Sequence, residues 1–251
     1  MSYLAFALLA VLMGGGMWLS RGLGVPQVWL YGVGMAVLVG MAAESCLGRV
    51  THGKRRAGYQ AFSAWTTAAL LVGAALWLVQ VTPADWQPQI EVAMSAAAAL
   101  YLFALREASD PESRFAQYGR FASTLMIFFV VFLLFTLIYQ TRQRALFTAT
   151  SVGVVSLLAC LELLRSGVDR KIDRQVMALS GIATLALSEA AWALGYWPMG
   201  GLVGGAMLLL GFYVLVGLLQ CIRDGSLGRA AVIEYGAVGV VGLLAVLIAV
   251  P

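Results

Sequence analysis

Apolar residues run almost unbroken for about 18–22 positions at a time along this chain, and polar residues gather in the short stretches between the runs. At about 1.5 Å per residue, a helical run of that length crosses the roughly 30 Å hydrocarbon core of a bilayer. A transmembrane barrel would instead alternate apolar and polar positions over segments of about 10 residues. In lipid each backbone N–H and C=O must find its partner inside the protein, which leaves helices for runs of this kind. The pattern predicts nine spans near 3–20, 28–48, 60–81, 90–106, 121–139, 146–165, 176–195, 200–222 and 231–250. Pro26, Pro83, Pro88 and the Tyr196-Trp197-Pro198 turn punctuate the joints.

The expected fold is all-α: a polytopic transmembrane helical bundle forming a single transmembrane domain over 1–251. Composition agrees. The chain is 61% hydrophobic and 11% charged, with mean hydropathy +0.89. A soluble domain of this length carries about a quarter charged residues to cover its surface. Met1-Ser2-Tyr3 carries no basic residue and Gly14-Gly15-Gly16-Met17-Trp18 offers no small-x-small cleavage site, so the first segment reads as a retained helix rather than a signal peptide.

Charge then orients the spans. Arg49, Lys54, Arg55 and Arg56 follow span two, and Arg106, Arg114 and Arg120 follow span four. Arg165, Arg170, Lys171 and Arg174 follow span six, and Arg223 and Arg229 follow span eight. Of the 16 Lys and Arg residues, Arg21, Arg142 and Arg144 fall on the other side. By the positive-inside rule the N-terminus lies in the cytoplasm and the C-terminus outside. Trp18, Trp29, Trp77, Trp86, Trp192 and Trp197 fall near the outer ends, as an interfacial belt would. The net charge of +4 therefore reads as a topology signal and not as a nucleic-acid surface. Arg49, Lys54, Arg55, Arg56, Arg170, Lys171 and Arg174 are candidate contacts for anionic lipid headgroups.

The stretches MAAESCLGRV (41–50), LYLFALREAS (100–109), SLLACLELLRSG (156–167) and VLVGLLQCIRDG (214–225) each close an even-numbered span before a basic loop. Their spacing of about 58–60 residues suggests one leading helix plus four helical-hairpin repeats. Glu44, Glu162 and Gln220 occupy similar places in them. Two readings stand for the acids. Glu162 is three residues from Arg165, so the two share a helix face and pair near the headgroups, and Glu44 could meet a loop Arg there. Alternatively these carboxylates serve a proton or a substrate.

Glu189 is the most deeply placed ionisable residue, about 13 residues into span seven. An intramembrane carboxylate is by default a functional candidate, although it can also act as hydrogen-bonded packing glue. Glu234, early in span nine, is a further candidate acid. His52 is the single histidine, which rules out bis-histidine haem ligation and a histidine-rich metal site. Cys46, Cys160 and Cys221 show no CxxC spacing and read as small packing residues. No catalytic residue, metal site or cofactor is expected. Gly201, Gly205, Gly236 and Gly239, with Gly204 and Gly242, form small-xxx-small patterns that let helix backbones approach closely. Gly14-Gly15-Gly16 would mark a kink or a close crossing in span one.

The stretch EAAWALGYWPMGGLVGGAMLLLGFYVLVGLLQ (189–220), followed by GRAAVIEYG (228–236), resembles the C-terminal part of an uncharacterised bacterial family of polytopic membrane proteins. The resemblance rests on Glu189, Trp192, Tyr196-Trp197-Pro198, Gly204-Gly205, Phe212-Tyr213, Gly217, Gln220 and Glu234. It implies a helical protein of the bacterial inner membrane and no particular activity. The reading that follows is an accessory or scaffold subunit, or a binder of lipid or another hydrophobic ligand. Its partners would be membrane lipids and a membrane protein or second copy, not nucleic acid. The rivals are a small-solute or proton-linked transporter using the intramembrane carboxylates, and an enzyme acting on lipid or isoprenoid phosphates.

Overall fold

The computed structural model describes residues 2–23, 25–48, 57–109, 115–141, 145–165, 173–197 and 199–248. Among these residues the regular structure is entirely helical. The helices are α1 (Ser2–Ser20), α2 (Val25–Gly48), α3 (Ala57–Val81), α4 (Gln87–Ser109) and α5 (Ala116–Gln140). They continue as α6 (Ala145–Arg165), α7 (Arg174–Leu194), α8 (Gly201–Arg223) and α9 (Arg229–Ile248). The apolar runs and the helices coincide to within a few residues. α5 shows why period and length matter more here than propensity. Its FFVVFLLFTLIY core is rich in aromatic and β-branched residues, which are indifferent helix formers, yet it is helical throughout. Six helices, α4 through α9, hold stretches long and apolar enough to cross a membrane. α1, α2 and α3 contribute the shorter apolar stretches Ala10–Ser20, Leu30–Glu44 and Trp65–Val81.

The helix ends are set by ordinary capping. Asp173, in extended conformation, accepts a 2.7 Å hydrogen bond from the Arg174 amide at the start of α7. α8 ends in a Schellman motif: Ser226 N–H donates to Cys221 O at 3.0 Å, and Gly225 N–H to Ile222 O at 3.3 Å. Gly225 supplies the left-handed φ of 65° that this ending requires.

The chain forms two compact units, Met1–Val130 and Val131–Pro251. In the first, α2 packs along α3, and α1 packs on α4 and α2. Its centre is filled by small and branched residues, with Ala74, Ala75 and Val79 fully buried. α1 is a single helix through its glycine triplet. Gly16 instead receives the side chains of Met35 and Tyr31 from α2, so the triplet marks a close crossing. In the second unit, α6 packs along α7, and α8 lies against α6, α7 and α9. The last turns of α5 also belong here. Phe135 meets Phe212 of α8 edge to face, ring centroids 6.1 Å apart. The Tyr139 hydroxyl, on a buried ring, reaches the carbonyls of Leu194 (2.6 Å) and Trp197 (3.0 Å), which tethers α5 to the end of α7.

Candidate functional site

The glycines of α8 decide how this helix is held. A Cβ on Gly204 would enter the Tyr139 ring, and one on Gly205 would enter the Thr136 backbone of α5. A Cβ on Gly201 would sit 2.8 Å from Gln140 Cβ. This glycine face is therefore occupied by the chain's own α5. On the α9 side, Gly217 receives the Tyr235 ring, which also lies 5.9 Å from Tyr213. A Cβ on Gly239 would lie 3.4 Å from Val214 Cγ2, in ordinary contact, whereas one on Gly236 would enter open space. Most of the remaining α9 surface is exposed and apolar, including Ile233, Val240, Val241 and Ile248.

The candidate acids take separate positions. Glu162 and Arg165 form an ion pair one turn apart on α6, Nη2 to Oε2 3.4 Å, with side chains only 8% and 1% exposed. The Gln220 amide of α8 donates to Leu163 O at 3.4 Å beside them. Glu44 is exposed on α2 and accepts a 3.0 Å hydrogen bond from Trp65 Nε1 of α3. The matching positions Glu44, Glu162 and Gln220 thus make three different kinds of contact. Glu189 is exposed on α7 and Glu234 is exposed on α9. Arg174 is exposed at the start of α7. Arg49, Lys54, Arg55, Arg56, Arg170 and Lys171 lie outside the described residues.

Depth separates the acids of the second unit. Gly153 of α6 lies against Ser188, the neighbour of Glu189. Glu162 is nine residues further along α6, about 13 Å at helical rise. Between these levels the α6–α7 seam is built of small residues, with Gly153, Ser156, Ala159, Ser180 and Ala183 buried. Thr184 returns its hydroxyl to Ser180 O at 2.8 Å, as a hydroxyl inside an apolar bundle commonly does. No group of three or more His, Cys, Asp or Glu side chains placed to hold a metal occurs among the described residues.

One polar cluster carries no motif in the sequence. Arg21 and Glu91 pair at 2.7 Å, Nε to Oε1, tying the end of α1 to the first turns of α4. Around them Gln80 Nε2 donates to Ser20 O at 3.0 Å, Gln87 Nε2 to Val79 O (3.2 Å) and Thr82 O (3.1 Å), and Ser95 Oγ to Glu91 O at 2.6 Å. This layer links α1, α3 and α4. The available signal was an acid one residue inside the predicted span 90–106, facing the loop that carries Arg21. It is the mirror image of Glu44 before its own basic loop.

A groove of about 390 Å³ lies between α2 and α3 in the first unit. Gly32 and Ala36 of α2 and Ala69, Gly73 and Trp77 of α3 line it, with Gln80 at one end. Its surface is apolar apart from that end.

The chain belongs to a family described as "Protein of unknown function (DUF5656)", whose model matches residues 4–249. The family relationship seen in the C-terminal quarter of the sequence thus covers nearly the whole chain. No curated protein and no solved structure matches it.

Proposed function

We propose that this protein is a polytopic membrane module that binds a hydrophobic molecule or another membrane protein, and that it neither turns over nor transports a solute. In this reading all nine helices cross the inner membrane of a bacterium, with the N-terminus in the cytoplasm and the C-terminus outside. The observation that carries it is the dispersal of the ionisable groups among the described residues. Glu162 pairs with Arg165 within α6, Arg21 pairs with Glu91, and Glu44 bonds Trp65. Glu189 and Glu234 lie exposed on separate helices. Catalysis or ion coupling needs acid, base and substrate groups within hydrogen-bond reach of one reacting centre. Carboxylates that tie one helix to another, as Glu44 ties α2 to α3 and Glu91 ties α4 to the end of α1, support a holding role instead.

Native mass spectrometry of the gently extracted protein tests this. The expected result is a stoichiometric lipid or protein mass retained on each chain. A bare chain, together with proteoliposome flux that Glu189→Gln abolishes, would refute it in favour of a carrier. Partner contact is not probed at Gly201 or Gly205, since α5 already fills that face. Cysteines introduced singly at 53 and 85 test the topology: labelling of the first from the cytoplasmic side and of the second from outside is expected, and the reverse would overturn the orientation.

A further inference from the structure

We propose that the α2–α3 groove is a binding site for a single acyl chain of a bilayer lipid, entered sideways from the membrane; this rests on the reading of the chain as a membrane-embedded binding module. Three features select that occupant. The first is length. From Ala69 to Val81 the groove follows α3 for twelve residues, about 18 Å at helical rise, enough to span the ~15 Å thickness of one leaflet of the hydrocarbon core. The second is volume. About 390 Å³ is at the small end of ligand pockets, roughly 300–1,000 Å³, so it suits one chain and not a two-chain body.

The third feature is polarity. The lining is apolar from Ala69 and Ala36 as far as Trp77, and near its end carries one polar side chain, Gln80, whose amide nitrogen is fixed by its bond to Ser20 O. A carboxamide carries a second N–H and an acceptor oxygen, which suit the ester or hydroxyl groups at the head of an acyl chain. Trp77 stands one turn earlier, where the indole of an interfacial aromatic would meet the same region. Val33 and Val81 of its lining are 66% and 45% exposed, so the groove opens onto an apolar surface suited to lipid. Gly73 forms part of the floor, and a Cβ there would meet nothing within 4 Å. A side chain at this position therefore leaves the backbone into open space on the groove side.

The test is native mass spectrometry of the intact protein after equilibration in palmitoyl-oleoyl phosphatidylglycerol vesicles and extraction. Activation is raised until loosely held lipid is stripped. The wild type is expected to retain one phospholipid per chain. Gly73→Phe is expected to lose it with an unchanged unfolding midpoint, and Gly73→Ala to keep it. Should Gly73→Phe fail to fold, Ala69→Leu obstructs the same groove from an exposed position. A lipid retained equally by the wild type and by a folded groove-filling variant would overturn the site and leave the broader binding reading standing. A wild type that carries only a protein partner, with no lipid, would do the same. A wild type bare of lipid and protein would overturn both.

Discussion

Replacing Gly205 with alanine adds one methyl group at the tightest helix crossing of the second unit. The new Cβ would strike Thr136 Oγ1 and come to 2.7 Å from Thr136 Cα and 2.8 Å from its backbone nitrogen. Cα and N are backbone atoms of the last turns of α5, so no rotamer change clears them. α8 must back away from α5 by about 0.7 Å or more to restore ordinary contact, loosening Gly204 from Tyr139 and Gly201 from Gln140. Overpacking of this kind costs about 1–3 kcal/mol. Against it, alanine in a helix interior gains about 0.5–1 kcal/mol over glycine. The net expectation is a loss of up to about 2.5 kcal/mol, which for a chain of this length lowers the unfolding midpoint by up to roughly 10 °C. The same change at Gly236, where a Cβ meets nothing within 4 Å, should gain about 0.5–1 kcal/mol. Thermal unfolding of both variants in one detergent, followed by tryptophan fluorescence, makes the comparison. A Gly205→Ala protein as stable as Gly236→Ala would refute the packing of α8 on α5.

Other expectations follow from single contacts. Tyr139→Phe removes the hydroxyl that bridges two carbonyls at the end of α7 and should cost about 1–2 kcal/mol by the same unfolding assay. Arg21→Glu or Glu91→Arg alone should destabilise by about 1–3 kcal/mol, and the double exchange should recover part of the loss; equal losses in single and double variants would deny the ion pair. Glu189→Gln, on an exposed side chain, should leave the midpoint within about 0.5 kcal/mol of wild type. Cys160, fully buried in α6, should resist maleimide in the folded protein and react on unfolding, read by intact mass in a variant with Cys46 and Cys221 changed to serine.

The carboxylates show where reading residues one by one reaches its limit. Glu162 and Arg165 were visible as partners because helical periodicity alone puts positions three apart on one face. The Glu44–Trp65 bond spans 21 residues and the Arg21–Glu91 pair spans 70, and neither partner could be chosen without knowing which helices touch. Glu189 stood out by its depth in span seven, yet depth along a helix says nothing of direction around it, and the side chain is exposed. The glycines divide in the same way. Gly201, Gly205 and Gly236 look alike as letters, but two are filled by α5 and one faces open space.

Among the described residues the sequence by itself determined the limits of the helices to within a few positions, because each apolar run between polar breaks is long enough for one helix and too long for a strand. It also excluded bis-histidine haem ligation and a histidine-rich metal site, since the chain has a single histidine. Only the tertiary structure decided which helix face meets which. Helices that are apolar on every side carry no amphipathic stripe to say which way they turn. The choice falls to small local fits: Tyr139 into Gly204, Tyr235 into Gly217, and Met35 into Gly16. The groove beside Gly32 and Gly73 has the same origin, for it exists only where two particular helices fail to fill the space between them.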